Sequence, residues 1–157
     1  MLAGLIWCAA NASAAAQTPA TSAPAIPLRV LKVATGPSGS QSGGTFVLSE
    51  ERSIFSPASD REVLAYFQWD GMPGPHKLVA QWRSPDGGLT STSTIDYVAT
   101  DRRFGAYWTL PLTASTPPGI WSVDATVDGQ PAGRASFEVR AEKVESAPVK
   151  RPLTTSE

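Results

Sequence analysis

Apolar and polar residues alternate with a period of two over most of residues 45–140. In one run, Val63, Phe67 and Trp69 occupy one phase, while Glu62 and Gln68 occupy the other. This alternation predicts strands that are buried on one face, and no stretch keeps the 3.6-residue period of an amphipathic helix. Seven strands are predicted, at residues 45–48, 62–70, 77–83, 95–99, 104–112, 121–127 and 134–140.

The residues between these runs are typical of tight turns. Asp-Gly pairs supply the positive φ angles that short hairpin turns require. Pro111 lies in the run 104–112 and has no N–H to donate, which predicts an edge or bulged strand at that point. Short strands with such turns favour an all-β fold, an immunoglobulin-like antiparallel β-sandwich of about seven strands, with a closed barrel as the alternative. The pairs are Asp70-Gly71, Asp86-Gly87 and Asp128-Gly129.

The inward phase of the strands forms the predicted core. One aromatic ring buries about 150–250 Å², so aromatic residues dominate this phase. All four tryptophans of residues 45–140 belong to it, which disfavours carbohydrate binding because sugar stacking needs rings on the outward phase. The predicted core residues are Phe67, Trp69, Trp82, Trp108, Trp121, Val123 and Phe137.

Three large residues take the outward phase instead. They are Leu64 and Tyr66 in the run 62–70, and Tyr107 in the run 104–112. In an immunoglobulin-like topology these two strands are neighbours, so the two tyrosines would meet in an exposed apolar stripe. Because such patches mark protein interfaces, these residues are the predicted interaction surface. The alternative is that residues 28–35 fold back over them.

One segment resembles a signature of immunoglobulin-type domains. Residues 117–123 read PPGIWSV, in which Gly119, Trp121 and Val123 match the glycine, aromatic and inward positions of strand F. Trp82, fifteen residues after Phe67, is similarly placed to the core tryptophan of strand C. Two features depart from the family. Trp121 stands where the family has a tyrosine, whose hydroxyl makes the corner hydrogen bond, and no cysteines occupy the disulfide positions. The resemblance implies an architecture and no activity.

A narrower resemblance involves three longer segments. Residues 62–87, 104–112 and 119–139 together resemble the accessory domain that precedes a trypsin-like serine protease domain in some bacterial exported proteins. The resemblance implies that a catalytic domain would lie beyond Glu157, with this chain as a fragment or a stand-alone relative.

The N-terminal residues are typical of a signal peptide at 1–16. A short apolar run is followed by small residues that place cleavage after Ala16, which would remove Cys8, the one cysteine. The alternative, a lipoprotein box with Cys8 acylated, is disfavoured by the bulky Trp7 before it. The run is shorter than the about 20 apolar residues of a transmembrane helix. We therefore expect an exported protein, periplasmic or extracellular, with no transmembrane segment in the mature chain.

The remaining boundaries follow from composition. Residues 17–44 are rich in Pro, Ser and Gly and predict a spacer with one possible strand at 28–35. The alternation in that strand slips after Val30, as a β-bulge would cause. Residues 45–140 form the predicted sandwich, and residues 141–157 a flexible tail.

The net charge and the single histidine limit which partners and sites the chain could have. The 13 Lys and Arg nearly balance the 14 Asp and Glu, so no basic surface for nucleic acid is expected. His76 is the one histidine; it could bind a metal with Asp70 or Asp86, but an exposed loop position is favoured. Ser42 lies in a sequence superficially similar to a protease nucleophile loop and is assigned to the spacer. No catalytic, cofactor-binding or metal-binding residue is predicted, and no cofactor.

These patterns favour an exported, non-catalytic binding or accessory module that contacts a protein partner. One alternative is a fragment or relative of an exported trypsin-like serine protease whose catalytic domain is absent here. A second is a periplasmic metal-handling β-sandwich. The sequence leaves the partner open.

The signal peptide can be tested by mass spectrometry of the protein from its native compartment. We expect the mature chain to begin at or near Gln17, because small residues precede that position. A lipid-modified chain that begins at Cys8 would contradict this prediction and favour the lipoprotein alternative.

Overall fold

The structure, a computed structural model, describes residues 27–42 and 45–141. Ten strands form in these residues, and none of the described residues forms a helix long and apolar enough to cross a membrane. Seven strands match the predicted runs, β1 matches the possible strand at 28–35, and β2 and β4 are additional. The strands are β1 (Arg29–Gly36), β2 (Gly39–Ser42), β3 (Thr45–Leu48), β4 (Ile54–Phe55), β5 (Glu62–Asp70), β6 (Gly74–Arg83), β7 (Leu89–Ala99), β8 (Arg103–Pro111), β9 (Gly119–Val127) and β10 (Gln130–Val139).

The strands form two facing sheets and one small pair. The sheets have the orders β1-β5-β8 and β4-β10-β9-β6-β7, and β2 pairs with β3. All pairs are antiparallel except β4 with β10. In immunoglobulin terms, β5 and β8 correspond to strands B and E, and β6, β9 and β10 to C, F and G. The fold is therefore the predicted immunoglobulin-like β-sandwich, with ten strands instead of seven.

Strand β1 extends the sandwich towards the N-terminus. It pairs with β5 from Arg29, opposite Asp70, to Gly36, opposite Leu64, and its register shifts between Val30 and Lys32, where the sequence predicts a bulge. Strand β2 also lies within the predicted spacer. This Gly/Ser-rich segment forms a strand because pairing with β3 supplies its backbone hydrogen bonds. The folded unit thus begins upstream of residue 45. The predicted signal peptide, the spacer before residue 27 and the tail beyond residue 141 lie outside the described residues.

The core lies between the two sheets and is mainly aromatic. Phe67 stacks on Trp69 with ring centroids 6.0 Å apart, and Phe137 meets Trp82 edge to face at 6.1 Å. Such pairs contribute about 0.5–1.5 kcal/mol beyond area burial. The structure buries all seven predicted core residues, each at most 5% exposed: Phe67, Trp69, Trp82, Trp108, Trp121, Val123 and Phe137.

Two buried indoles bond to backbone carbonyl groups. Trp69 Nε1 donates to the carbonyl oxygen of Ala132 at 2.7 Å, and Trp121 Nε1 donates to that of Pro117 at 2.9 Å. The second bond spans the corner before β9, where the immunoglobulin family uses a tyrosine hydroxyl. The indole of Trp121 therefore makes a corner hydrogen bond without that hydroxyl.

Turns and strand ends follow the residues that the sequence marks. Asp128 and Gly129 have φ angles of 52° and 79°, and they join Val127 to Gln130 in a two-residue hairpin. Two successive positive φ angles are those of a type I′ turn. Strand β8 ends at Pro111 and lies at the edge of its sheet, as the proline predicts.

The predicted exposed stripe is wrong for two of its three residues. Leu64 is 4% exposed and Tyr66 5% exposed, whereas Tyr107 is 43% exposed. The cover is the β2–β3 pair, since the Phe46 ring lies 5.4 Å from Tyr66 and 4.2 Å from Tyr107. Strand β1 does not fold over this face, as the alternative proposed, but pairs beside β5. A third layer thus lies on the outer face of the three-stranded sheet.

The core assignment can be tested by urea unfolding. Trp121→Ala removes a side chain that is 3% exposed, and we expect it to lower the free energy of unfolding by about 3–5 kcal/mol. Ile120→Ala is the matched control because Ile120 is 61% exposed and should change stability by less than about 0.5 kcal/mol. Equal losses for the two variants would contradict the inward assignment.

Candidate functional site

A cleft of about 500 Å³ lies at the β8 edge of the three-stranded sheet. It runs from the outer face of β5 and β8, under the β2–β3 pair, to strand β7. Five aromatic side chains line it: Phe46, Tyr66, Tyr97, Phe104 and Tyr107. Its polar lining includes Gln41, Gln68, Asp101 and Arg103. The cleft therefore combines ring faces with hydrogen-bonding and charged groups of both signs.

The tyrosines are positioned by strand register. Tyr66 on β5 lies opposite Tyr107 on β8, and the ring of Phe46 stacks on Tyr107 at an interplanar angle of 18°. Tyr66 is enclosed by these contacts, while Tyr107 stays partly open to solvent. The pairing of the two tyrosines across neighbouring strands agrees with the sequence prediction, although only Tyr107 is exposed.

Gly105 gives Tyr66 the space to lie across β8. A Cβ atom at Gly105 would be 3.0 Å from the Tyr66 hydroxyl oxygen and 2.8 Å from the Phe67 carbonyl oxygen. Burial raises the pKa of Tyr66, the charge of Lys32 lowers it, and Tyr97 raises it further, so that the net shift is upward. Tyr66 therefore carries a neutral phenol in the cleft wall at neutral pH.

Three of the five aromatic lining residues were missed by the sequence reasoning. Tyr97 and Phe104 belong to the inward phase of β7 and β8, and their rings stack 5.9 Å apart at the sandwich edge. Phe46 belongs to the short strand β3, whose pairing with β2 the sequence does not predict. Phe46 could have been considered as a lining residue because it is the one aromatic residue in the run 45–48. Leu64, by contrast, is a predicted site residue that does not line the cleft.

His76 lies beside the cleft and packs against Phe104. Its ring stacks on Phe104 at 4.8 Å. Nδ1 lies 2.7 Å from an oxygen of Asp128, and Nε2 lies 2.7 Å from the Met72 carbonyl oxygen. Asp128 also accepts a bond from the Lys77 N–H at 2.8 Å. The sequence prediction of a loop histidine is wrong, because His76 lies in β6 with both ring nitrogens bonded.

This arrangement stabilises the protonated imidazole. Partial burial lowers the pKa of His76, but hydrogen bonds to Asp128 and Met72 and the charge of Asp128 outweigh it, so the pKa is raised above 6.5. The bond from His76 and the Lys77 N–H lower the pKa of Asp128. Two acceptors face the ring, and only the imidazolium can donate to both.

The carboxylates considered as metal ligands lie elsewhere. Asp70 bonds to Arg102 at 3.1 Å, and Asp86 accepts from the Ser84 hydroxyl at 2.6 Å. Neither is a hydrogen-bond partner of His76. In the part of the chain that the structure describes, no three His, Cys, Asp or Glu side chains form a group that could hold a metal ion.

A second depression, of about 400 Å³, lies between β1 and β10. Its two guanidinium groups are already paired: Arg52 with the buried Asp60, and Arg134 with Asp124 at 2.5 and 2.8 Å. Hydrogen bonds from Arg134 hold the pKa of Asp124 below its usual range, with Arg83 as a further cause. These pairs make the depression a weaker candidate for ligand binding than the aromatic cleft.

No protein-family model matches the sequence, and no match was found among curated proteins. An immunoglobulin-like protein from Pseudomonas aeruginosa is 13% identical, with 75% of this chain and 100% of that chain covered and a TM-score of 0.46. The Pseudomonas fluorescens alkylpurine DNA glycosylase AlkC, bound to DNA containing an abasic site analog, is 13% identical; the match covers 73% of this chain and 30% of that chain, with a TM-score of 0.50. The CARDB domain of a Pyrococcus furiosus protein, in complex with di-metal ions, is 16% identical; coverage is 70% and 92%, and the TM-score is 0.38.

At these identities the similarities concern the fold alone. None of these three structures is described as part of a serine protease, so the narrower resemblance to a protease accessory domain stays a prediction. The absence of a nucleic-acid partner likewise stays a prediction.

The His76–Asp128 pair predicts a pH-dependent stability. A raised pKa in the folded state means that the contribution of His76 is fully present below its unfolded pKa and is lost as pH rises through the folded pKa. We expect the free energy of unfolding to fall as the pH rises from below the unfolded pKa of histidine, about 6.5, through the raised folded pKa, and this fall to shrink in Asp128→Asn.

The single histidine makes the measurement direct. In a chain purified without a histidine tag, one imidazole titrates by NMR, with a pKa above 6.5 in the wild type and a lower pKa in Asp128→Asn. Asp86→Asn is the control, because it removes a turn carboxylate that does not contact His76. A pKa unchanged by Asp128→Asn would contradict the assigned pair.

Proposed function

We propose that this chain is an exported, non-catalytic binding module that contacts a protein partner through the aromatic cleft. The observation that carries the proposal is the partly open set of tyrosine and phenylalanine rings with a polar rim at the β8 edge. Tyr107, 43% exposed and stacked on Phe46, is the most accessible ring of this set.

The composition of the cleft supports a protein partner. Protein interfaces are enriched in tyrosine, phenylalanine and arginine at their centres, with a polar rim around them. Tyr107 and Arg103 present two of these residue types at one opening. Stacking on Phe46 limits the rotamers of Tyr107 before binding, which lowers the entropy cost of ordering it.

The metal-handling alternative requires a free His76, as would catalysis by Ser42 within this chain; the protease alternative itself places its catalytic domain outside this chain. A protease base would accept a proton from Ser42, and a metal site would use an imidazole nitrogen. Hydrogen bonds to Asp128 and Met72 engage both nitrogens, so neither is free for these tasks in this conformation. The resemblance to a protease accessory domain remains compatible with the proposal, because such a domain would bind and not catalyse.

Export is the part of the proposal that rests on residues 1–16. These residues lie outside the described structure, and the support comes from the apolar run and the small residues before Gln17.

Site-specific photo-crosslinking tests the proposed contact. A photoreactive phenylalanine analogue replaces Tyr107 or Gln68 in the cleft, and Ile120 on β9 as an exposed control, in the native host. We expect both cleft positions to yield an adduct with the same protein, identified by mass spectrometry, and Ile120 to yield none with it. Equal adducts at all three positions, or none in the cleft, would count against the proposal.

A further inference from the structure

The two sheets of the sandwich differ in width at the cleft. The three-stranded sheet ends at β8, whereas the facing sheet has five strands and ends at β7. The corresponding sheet of an immunoglobulin constant-type domain has four strands, with strand D next to E. Strand β8 corresponds to E, so the position of a fourth strand beside it is vacant in the described residues.

The inner face of β7 shows where this fourth strand would lie. Ser91 and Ser93 pair with Trp82 and Ala80 of β6, which are 1% and 0% exposed. These serines therefore share the inward face, yet both are exposed. Further along the same face, Ile95 is half-buried and lines the cleft. We call this uncovered face of residues 91–95 the β7 shelf.

The β8 edge itself is unprotected. Natural edge strands usually carry charges, proline or bulges that prevent pairing with another chain. In β8 these occur only at the ends, as Arg103 and Pro111, and the seven residues between them read FGAYWTL. The other edge strands are different: β1 carries Arg29 and Lys32, β7 carries Asp96, and β4 has two residues.

We propose that the protein partner contributes an extended segment that pairs with the free edge of β8 and lies over the β7 shelf as a fourth strand. This inference rests on the proposed function and specifies its binding mode. Every second residue of β8 directs its N–H and C=O away from β5, and these groups would bond to the segment. One side chain of the segment would enter the aromatic cleft.

The width of the shelf selects a peptide segment over a second copy of this chain. The shelf extends beyond β8 by about one strand spacing, about 5 Å. If a second copy paired through its own β8, its β7 would have to occupy the same strip. A single extended segment has no such overhang. Because Ser91, Ser93 and Ile95 are uncharged, the side chains over them would be small or apolar, with no proline at the pairing positions.

The probe is a phage-displayed library of random peptides of about ten residues, selected against the whole mature chain. We expect enriched peptides with alternating apolar residues, whose affinity falls by about tenfold or more in Ser93→Arg, because the arginine fills the shelf. Thr94→Arg is the matched control. Thr94 is equally exposed but lies on the opposite face of the same strand, so this variant should bind as the wild type does.

Amide hydrogen exchange then measures whether the backbone of β8 becomes hydrogen-bonded when a peptide binds. Binding should protect alternate amides of β8, and N-methylation at alternate positions of the peptide should abolish affinity. A different result would overturn strand pairing: peptides whose affinity falls in Tyr107→Ala but not in Ser93→Arg, and which leave the β8 amides unprotected. That result would still support the proposed binding function of the cleft. A library without any binder would also overturn strand pairing, and the crosslinking result would then decide the proposed function.

Discussion

Aromatic packing between the two sheets is the interaction on which this sandwich depends. The chain has one cysteine, so no internal disulfide can join the sheets. Trp69, Trp82 and Phe137 instead fill the space between them, each at most 2% exposed. The buried indole N–H of Trp69 bonds to Ala132, which fixes β10 against β5 at one point and avoids the about 1–3 kcal/mol cost of an unpaired buried donor.

The same packing explains why aromatic and polar side chains line a cleft at one edge. The three-stranded sheet covers only part of a five-stranded one, so rings at its β8 border are half enclosed. Phe104 is held there from two sides, by Tyr97 at 5.9 Å and by His76 at 4.8 Å. The hydrogen bonds of His76 to the β9–β10 turn and to the β5–β6 loop therefore stabilise one wall of the cleft as well as the fold. Protonation of one imidazole thus bears on the geometry of the aromatic cleft.

Local alternation predicted the strands and the core, since a period of two records which side chains share a face. It could not predict that Leu64 and Tyr66 are buried, because alternation gives two faces and does not say that Phe46 covers the outer one. The partner of His76 was missed for a related reason. Asp128 lies 52 residues away along the chain, and only the register of β6 beside β9 brings the two together. Long-range pairing, not local propensity, builds the cleft.

The uncharged β8 edge involves two opposing physical effects. A strand that can pair with a partner's backbone can also pair with any other extended chain, which makes such an edge an aggregation hazard. Two features of the described residues limit that hazard. Strand β7 belongs to the wider facing sheet, and in the proposed arrangement it would block a second copy from pairing edge to edge; Pro111 ends the pairing surface. Charges on the edge would protect it more strongly, but each would have to be desolvated when a strand bound there. An edge shielded by shape and not by charge can therefore remain available to a single extended segment.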